Sequence, residues 1–353
     1  MTTSYDIALL RLAAQRMAGP GCGTATEAVW WLTAVQAQDY RGAVTSVALR
    51  TDAGTARSVE AALNAGEVVR SWPMRGTLHF VLAEDLAWML DLTTERVLAA
   101  AARRRAELGL DTPTIEHARQ LATDALAGGR YLNRDDLVGC WNDAGLLTVK
   151  QRSYHLIWHL AQTGTLCYGP VRDGAQVIVL VNEWVPDPRR PERAEALGEW
   201  ALRYFRSHGP ATAKDFAWWT KFVAADVKTG LAIARPRLER LEVDGVEYFM
   251  DPQTPARLDS CRRSAQGVFL LPGFDEYMLG YRNRGAALPA EFAQRIVPGS
   301  NGMFQPTVVA DGEVVGTWKR RGRGAQRAVQ ATPFTSFRSA VADALPRLSA
   351  ALP

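Results

Sequence analysis

A single layout, helix then capped helix then third helix then two-stranded hairpin, occurs three times up to residue 254, and that repetition limits the architectures available. In the first copy, residues 5–17 form an amphipathic helix, and Thr24-Ala25-Thr26-Glu27 is a capping box that opens the next. A helix over 59–64 follows, then strands over 68–72 and 77–82 around Pro73-Met74-Arg75-Gly76. The second copy has a helix over 115–126, Asn133 capping a helix over 134–143, and Thr148-Val149-Lys150-Gln151 as a capping box opening a helix through Ala161. Its strands, 166–168 and 176–181, flank the turn signal Arg172-Asp173-Gly174. The third copy runs from a helix over 193–208 to Thr212-Ala213-Lys214-Asp215, which caps the helix carrying Trp218 and Trp219. A helix over 224–233 and strands over 237–243 and 246–250, turning at Asp244-Gly245, complete it.

Three helices followed by a hairpin is the winged-helix form of the helix-turn-helix motif. After residue 254 the pattern changes: 268–271, 306–310 and 313–318 read as strands, Asp311-Gly312 as a hairpin turn, and 335–350 as a helix with Phe337, Val341, Leu345 and Leu348 in register. The expected fold class is α+β, with three tandem winged-helix motifs (1–105, 106–190 and 191–254) followed by a small β-barrel or sheet with the closing helix packed on it (255–353). The Pro- and Arg-rich run 186–191 is the expected linker.

A net charge of +4 does not by itself indicate a nucleic-acid partner; the clustering is more informative. Arg103-Arg104-Arg105 is one basic cluster, and Lys319-Arg320-Arg321-Gly322-Arg323, with Arg327 close behind, is a denser one. Cys22, Cys140, Cys167 and Cys261 are widely spaced and suggest no disulfide framework. The N-terminus carries no basic segment leading into a long apolar run, and no stretch reaches membrane-span length, so a cytoplasmic protein is expected.

The segment Val35-Gln36-Ala37-Gln38-Asp39-Tyr40 ends an apolar helical stretch. Residues two apart do not share a helix face, so Gln36 and Gln38 converge only where the backbone leaves the helix. Carboxamides donate and accept without charge; the pair can hold a water or a base edge but is no ordinary general base. Simple capping of the helix end is the competing reading of the same two amides.

Five segments together resemble one family: Val35-Gln36-Ala37-Gln38; Ser71-Trp72-Pro73-Met74-Arg75-Gly76-Thr77-Leu78-His79; His208-Gly209-Pro210-Ala211-Thr212; Leu271-Pro272-Gly273-Phe274-Asp275-Glu276-Tyr277; and Asn301-Gly302-Met303-Phe304-Gln305-Pro306-Thr307. In order and spacing they are similar to the AlkZ/YcaQ-type winged-helix DNA glycosylases, the family that includes azinomycin self-resistance enzymes. The resemblance implies three tandem winged helices and a C-terminal β-barrel enclosing a concave DNA-binding channel. It also implies a Gln-x-Gln catalytic motif at Gln36 and Gln38, and excision of N7- or N3-alkylated purines, including bulky adducts and interstrand crosslinks.

Such a motif fits that chemistry. An alkylated purine is already cationic and leaves without protonation, so an enzyme has only to stabilise an oxocarbenium-like sugar and hold a water beside it. Asp39 is an auxiliary base or cation stabiliser in one reading and a backbone-bonded helix terminator in the other, which aspartate adopts more often. Arg75 and His79 on the first wing contact DNA or line the pocket in one reading and pack the wing in the other. Lys319, Arg320, Arg321 and Arg323 are the expected phosphate contacts, with a solvated charged loop as the competing reading. Trp72 is a stacking wedge or a core residue, the latter being commoner for tryptophan. His155 and His159 stand four apart without a third ligand, Asp275-Glu276 is too close-set for a glycosidase pair, and no phosphate-binding loop occurs. The expectation is therefore a monomeric DNA glycosylase needing no metal, small-molecule cofactor or membrane, with duplex DNA bearing alkylated purines as its partner. The alternative is a non-catalytic winged-helix DNA-binding protein or transcription regulator.

Overall fold

A computed structural model describes residues 3–322 and 328–353. It is a mixed α/β structure with two compact units, one built from the chain up to Val59 together with Leu197–Pro353, the other from Glu60–Ala196. Arg323 and Arg327, expected in the basic cluster, lie outside the described residues. Among the described residues no helix is long and apolar enough to cross a membrane.

In the first unit, Thr3 caps the helix Ser4–Ala14 through a reciprocal box with Asp6. That helix packs with Thr254–Ala265, and Leu9, Leu12, Leu258, Leu271 and Tyr277 share their core. Thr24 accepts from the Glu27 amide to start Ala25–Leu32, as expected, but the Glu27 carboxylate reaches back to the Gly23 amide instead of the cap residue. The helix Tyr40–Ala48 was not expected; it starts at Asp39 without a side-chain cap bond. The Thr212–Asp215 box forms in both directions and begins Ala213–Thr220. The hairpin Glu239–Val243 with Val246–Met250 turns at Asp244-Gly245, both at positive φ, as the two-residue turn requires. Tyr204, Phe205, Phe216, Trp219 and Phe249 pack together in this unit, and each such ring contributes about 1.5–3 kcal/mol by burial.

The C-terminal strands correct an expectation. Among the described residues Val268–Leu271, Thr307–Ala310, Glu313–Arg321 and Ala328–Pro333 form an open antiparallel sheet, not a closed barrel. The helix Ser339–Ala351 contacts both edge strands, and its Val341, Leu345 and Leu348 cover Leu270, Val308 and Trp318. A helix laid across both edges covers them without closing the hydrogen-bonding ring.

In the second unit the hairpins Val68–Met74 with Thr77–Leu82 and Leu166–Arg172 with Ala175–Leu180 belong to one antiparallel sheet, joined where Arg70 faces Tyr168. The expectation treated them as separate wings. The unit also contains the helices Leu86–Ala100, Thr112–Leu126, Arg134–Asp143 and Arg152–Gln162, with Asn133 capping the third of these through the Asp136 amide. The expected capping box at Thr148–Gln151 does not form. The helix starts later, at Arg152, after Gln151 in a left-handed conformation (φ 73°) with no side-chain cap.

Candidate functional site

The glutamine segment lies where the backbone leaves the helix, as the convergence argument requires. Ala25–Leu32 ends at Thr33, whose φ of 71° reverses the chain, and Val35–Gln36 is extended. The two amides then have different environments. Gln36 is only 5% exposed, and its Oε1 accepts the Gln38 backbone N–H at 3.1 Å; the Gln38 residue is exposed. The inner amide therefore fixes the backbone that presents the outer one, while its oxygen keeps a second lone pair.

Asp39 occupies the cap position of Tyr40–Ala48, yet its carboxylate makes no side-chain cap bond and the residue is exposed. The backbone-bonded terminator favoured from sequence is not what forms. A β-carbon on Gly42 would come within 2.7 Å of an Asp39 carboxylate oxygen, so glycine there makes room for the acid.

Behind this loop lies a buried polar cluster to which the sequence assigned no role. Glu276 is fully buried; its Oε1 accepts the Gln36 backbone N–H at 3.3 Å, and its Oε2 faces Trp219 Nε1 at 2.8 Å and His208 Nε2 at 3.3 Å. Asp275 holds Arg50 through two parallel contacts of 2.9 Å, accepts from Ser46 Oγ at 2.5 Å, and caps its own short helix through the Tyr277 amide. Arg50 also donates to Gln15, Gln15 to the Tyr281 hydroxyl, and that hydroxyl to the His208 carbonyl. Burial pushes the Asp275 carboxyl up, but the Arg50 charge and the Ser46 and Tyr277 donors outweigh it and hold the pKa below the usual value. Burial likewise lowers the His208 pKa against the opposing pull of Glu276, leaving a neutral ring that donates from Nε2. Two adjacent carboxylates following an apolar strand were the available signal, because a buried acid needs partners; nothing in the sequence marked Arg50 as one.

The structure thus brings together three of the five signature segments at this site: the glutamines, His208 and Asp275-Glu276. The Asn301–Thr307 segment joins them through Phe304, whose ring lies 6.2 Å from that of Phe274 and whose carbonyl leaves no space for a β-carbon on Gly273. On the adjoining strand, Lys319, Arg320 and Arg321 are exposed. Arg320 reaches Thr45 of the helix Tyr40–Ala48 at 3.4 Å, and Arg321 bonds Gln330. Among the described residues no group of three or more His, Cys, Asp or Glu side chains could hold a metal ion.

The fifth segment belongs to the second unit. Arg75 and Gly76 form its hairpin turn at φ 57° and 67°. His79 is fully buried; its Nδ1 lies 2.8 Å from the Thr77 carbonyl, and its Nε2 lies 2.9 Å from Arg75 Nη2. Burial, and then the Arg75 charge, keep its pKa well below 6.5, so Nδ1–H donates to the carbonyl and Nε2 accepts from the guanidinium. His79 orients Arg75 and exposes no surface of its own. Trp72 is 2% exposed and belongs to the core of this unit.

A model of the AlkZ-like DNA glycosylases matches residues 29–352. The chain belongs to the AlkZ-like DNA glycosylase family. A curated Streptomyces sahachiroi protein, described as an interstrand DNA cross-link repair glycosylase, is 27% identical over 309 residues, covering 84% of this chain and 82% of its own length. The solved structure of the Streptomyces sahachiroi DNA glycosylase AlkZ matches with a TM-score of 0.80 at 24% identity, over 99% of this chain and 98% of that one; this likeness speaks for the fold.

Proposed function

We infer that this AlkZ-like enzyme hydrolyses the N-glycosidic bond of cationic N7- or N3-alkylated purines in duplex DNA, with Gln36 and Gln38 placing the attacking water. The observation that carries this reading is the division of labour in the loop: a buried carboxamide holds the backbone of an exposed one, next to an acid that no cap bond engages. The glycosidic electron pair stays with the purine, which departs neutral because alkylation had made it cationic. The water oxygen bonds to the anomeric carbon and its proton passes to solvent. Carboxamide oxygens accept the water's hydrogens and turn their negative dipole ends toward the sugar cation, and Asp39 adds a full negative charge beside them. No side chain is required to form a covalent intermediate, which makes the enzyme monofunctional.

Phosphate contacts are assigned to Lys319, Arg320, Arg321 and Arg323, and to Arg75 with His79 behind it. The three winged-helix motifs of the resemblance serve here as DNA-binding elements. The description of the Streptomyces relative supports extending the substrate to interstrand crosslinks. A panel of duplexes that are intact, methylated, bulky-adducted or crosslinked at purine N7 or N3 tests this, scored for abasic sites. The reading expects abasic sites in alkylated DNA regardless of sequence context. Binding to a preferred intact sequence without abasic-site formation would instead favour a regulator.

A further inference from the structure

We propose that Glu276, held by Trp219 and His208, is a positioning residue for the reaction, fixing the Gln36 backbone and through it the Gln38 carboxamide. The proposal rests on the glutamine reading above and deepens it. Four links carry it. Trp219 Nε1 and His208 Nε2 converge on one carboxylate oxygen at 2.8 and 3.3 Å. The other oxygen accepts the Gln36 backbone N–H at 3.3 Å. The Gln36 side chain then accepts the Gln38 backbone N–H at 3.1 Å. All residues but Gln38 are buried, so water does not replace these bonds when they break.

The carboxylate is suited to this task because it accepts on both ends. Glutamine has the same shape but one donating end. Whichever way its amide turns, an NH2 meets at least one buried donor: the Gln36 N–H, or the Trp219 N–H together with His208. A displacement of about 1 Å in a reacting group costs on the order of a hundredfold in rate.

The same geometry predicts a rescue. With Trp219→Phe the indole donor is gone. The NH2 of Glu276→Gln can then face His208 in its other tautomer, in which Nε2 accepts and Nδ1–H donates to Ser207 Oγ, 2.8 Å away. The amide oxygen remains on the Gln36 N–H.

The experiment measures single-turnover release of 7-methylguanine from methylated duplex at saturating enzyme, with DNA affinity and melting temperature recorded for each variant. Glu276→Gln should lower the rate by about a hundredfold with DNA Kd within about twofold of the parent. Glu276→Gln with Trp219→Phe should recover at least about tenfold of that loss. A Glu276→Gln rate equal to the parent, or a double variant no faster than Glu276→Gln, overturns the proposal; the second result is what an effect of charge alone would give. If Gln36→Ala with Gln38→Ala retains full release, the glutamine reading itself has failed, which is a separate outcome. Amide hydrogen exchange on the unsubstituted enzyme does not depend on any variant folding. The Gln36 amide should be protected along with core amides, and exchange at the rate of an open loop contradicts the anchor.

Discussion

Each side chain in the glutamine loop has a separable consequence. Gln38→Ala removes the exposed amide and should slow base release by about a hundredfold, the usual effect of losing one aligned dipole. Gln36→Ala loses an amide and also frees the Gln38 backbone, so its rate should fall at least as far. Asp39→Asn keeps the shape and removes the charge; on the order of a ten- to hundredfold decrease is expected for a carboxylate a few ångströms from a cationic sugar. Full activity in Asp39→Asn, measured by the same release assay, would leave the acid without a part in the chemistry. That the backbone leaves the helix before the glutamines was legible, because two amides two residues apart do not share a helix face. The bonding of Asp39 was misread because aspartate at a helix end usually bonds the backbone, whereas here its carboxylate makes no cap bond and the glycine at 42 leaves it room.

Among elements, caps and turns were the most readable features. Thr24, Asn133 and Thr212 begin helices as read, because a side-chain oxygen before an apolar run meets a concrete need for an acceptor. Thr212→Ala should cost about 1 kcal/mol in denaturant unfolding. Pairing between distant elements was not readable. Arg50 and Asp275 are far apart in sequence, and their bidentate pairing is nearly solvent-free. Arg50→Ala leaves Asp275 as an uncompensated buried charge and should destabilise the fold by about 3–5 kcal/mol. A loss below about 1 kcal/mol would mean that the cluster relaxes around the gap. The open C-terminal sheet was likewise beyond local pattern, since edge closure depends on how far a sheet curls and not on the strands taken singly.

For the molecule as a whole, two dependences follow from charge. His79 and His208 are buried and neutral, with pKa values held below 6.5 in the fold. A histidine depressed in the native state contributes full stability above its unfolded pKa, and that contribution is lost as pH falls toward the folded value, because only the unfolded chain takes up the proton. The melting temperature should therefore decline as pH drops below about 6.5. A flat profile down to pH 5 would show that these rings protonate without unfolding. Binding of duplex should weaken steeply with salt, and replacing Lys319, Arg320 and Arg321 by alanine should flatten the slope of log K against log salt by about one for each phosphate left without its cationic side chain. The family was legible from motif order across the whole chain, whereas the lesion accepted was not, because adduct choice depends on the shape and depth of a site and not on the residues that hold the water.

The central claim is that two uncharged side chains direct the hydrolysis. It is tested most directly by Gln36→Ala with Gln38→Ala, comparing single-turnover release of 7-methylguanine with the parent enzyme at matched DNA occupancy. The account predicts at least about a hundredfold slower release with duplex affinity preserved. Release at the parent rate by a folded, DNA-bound double variant would contradict it.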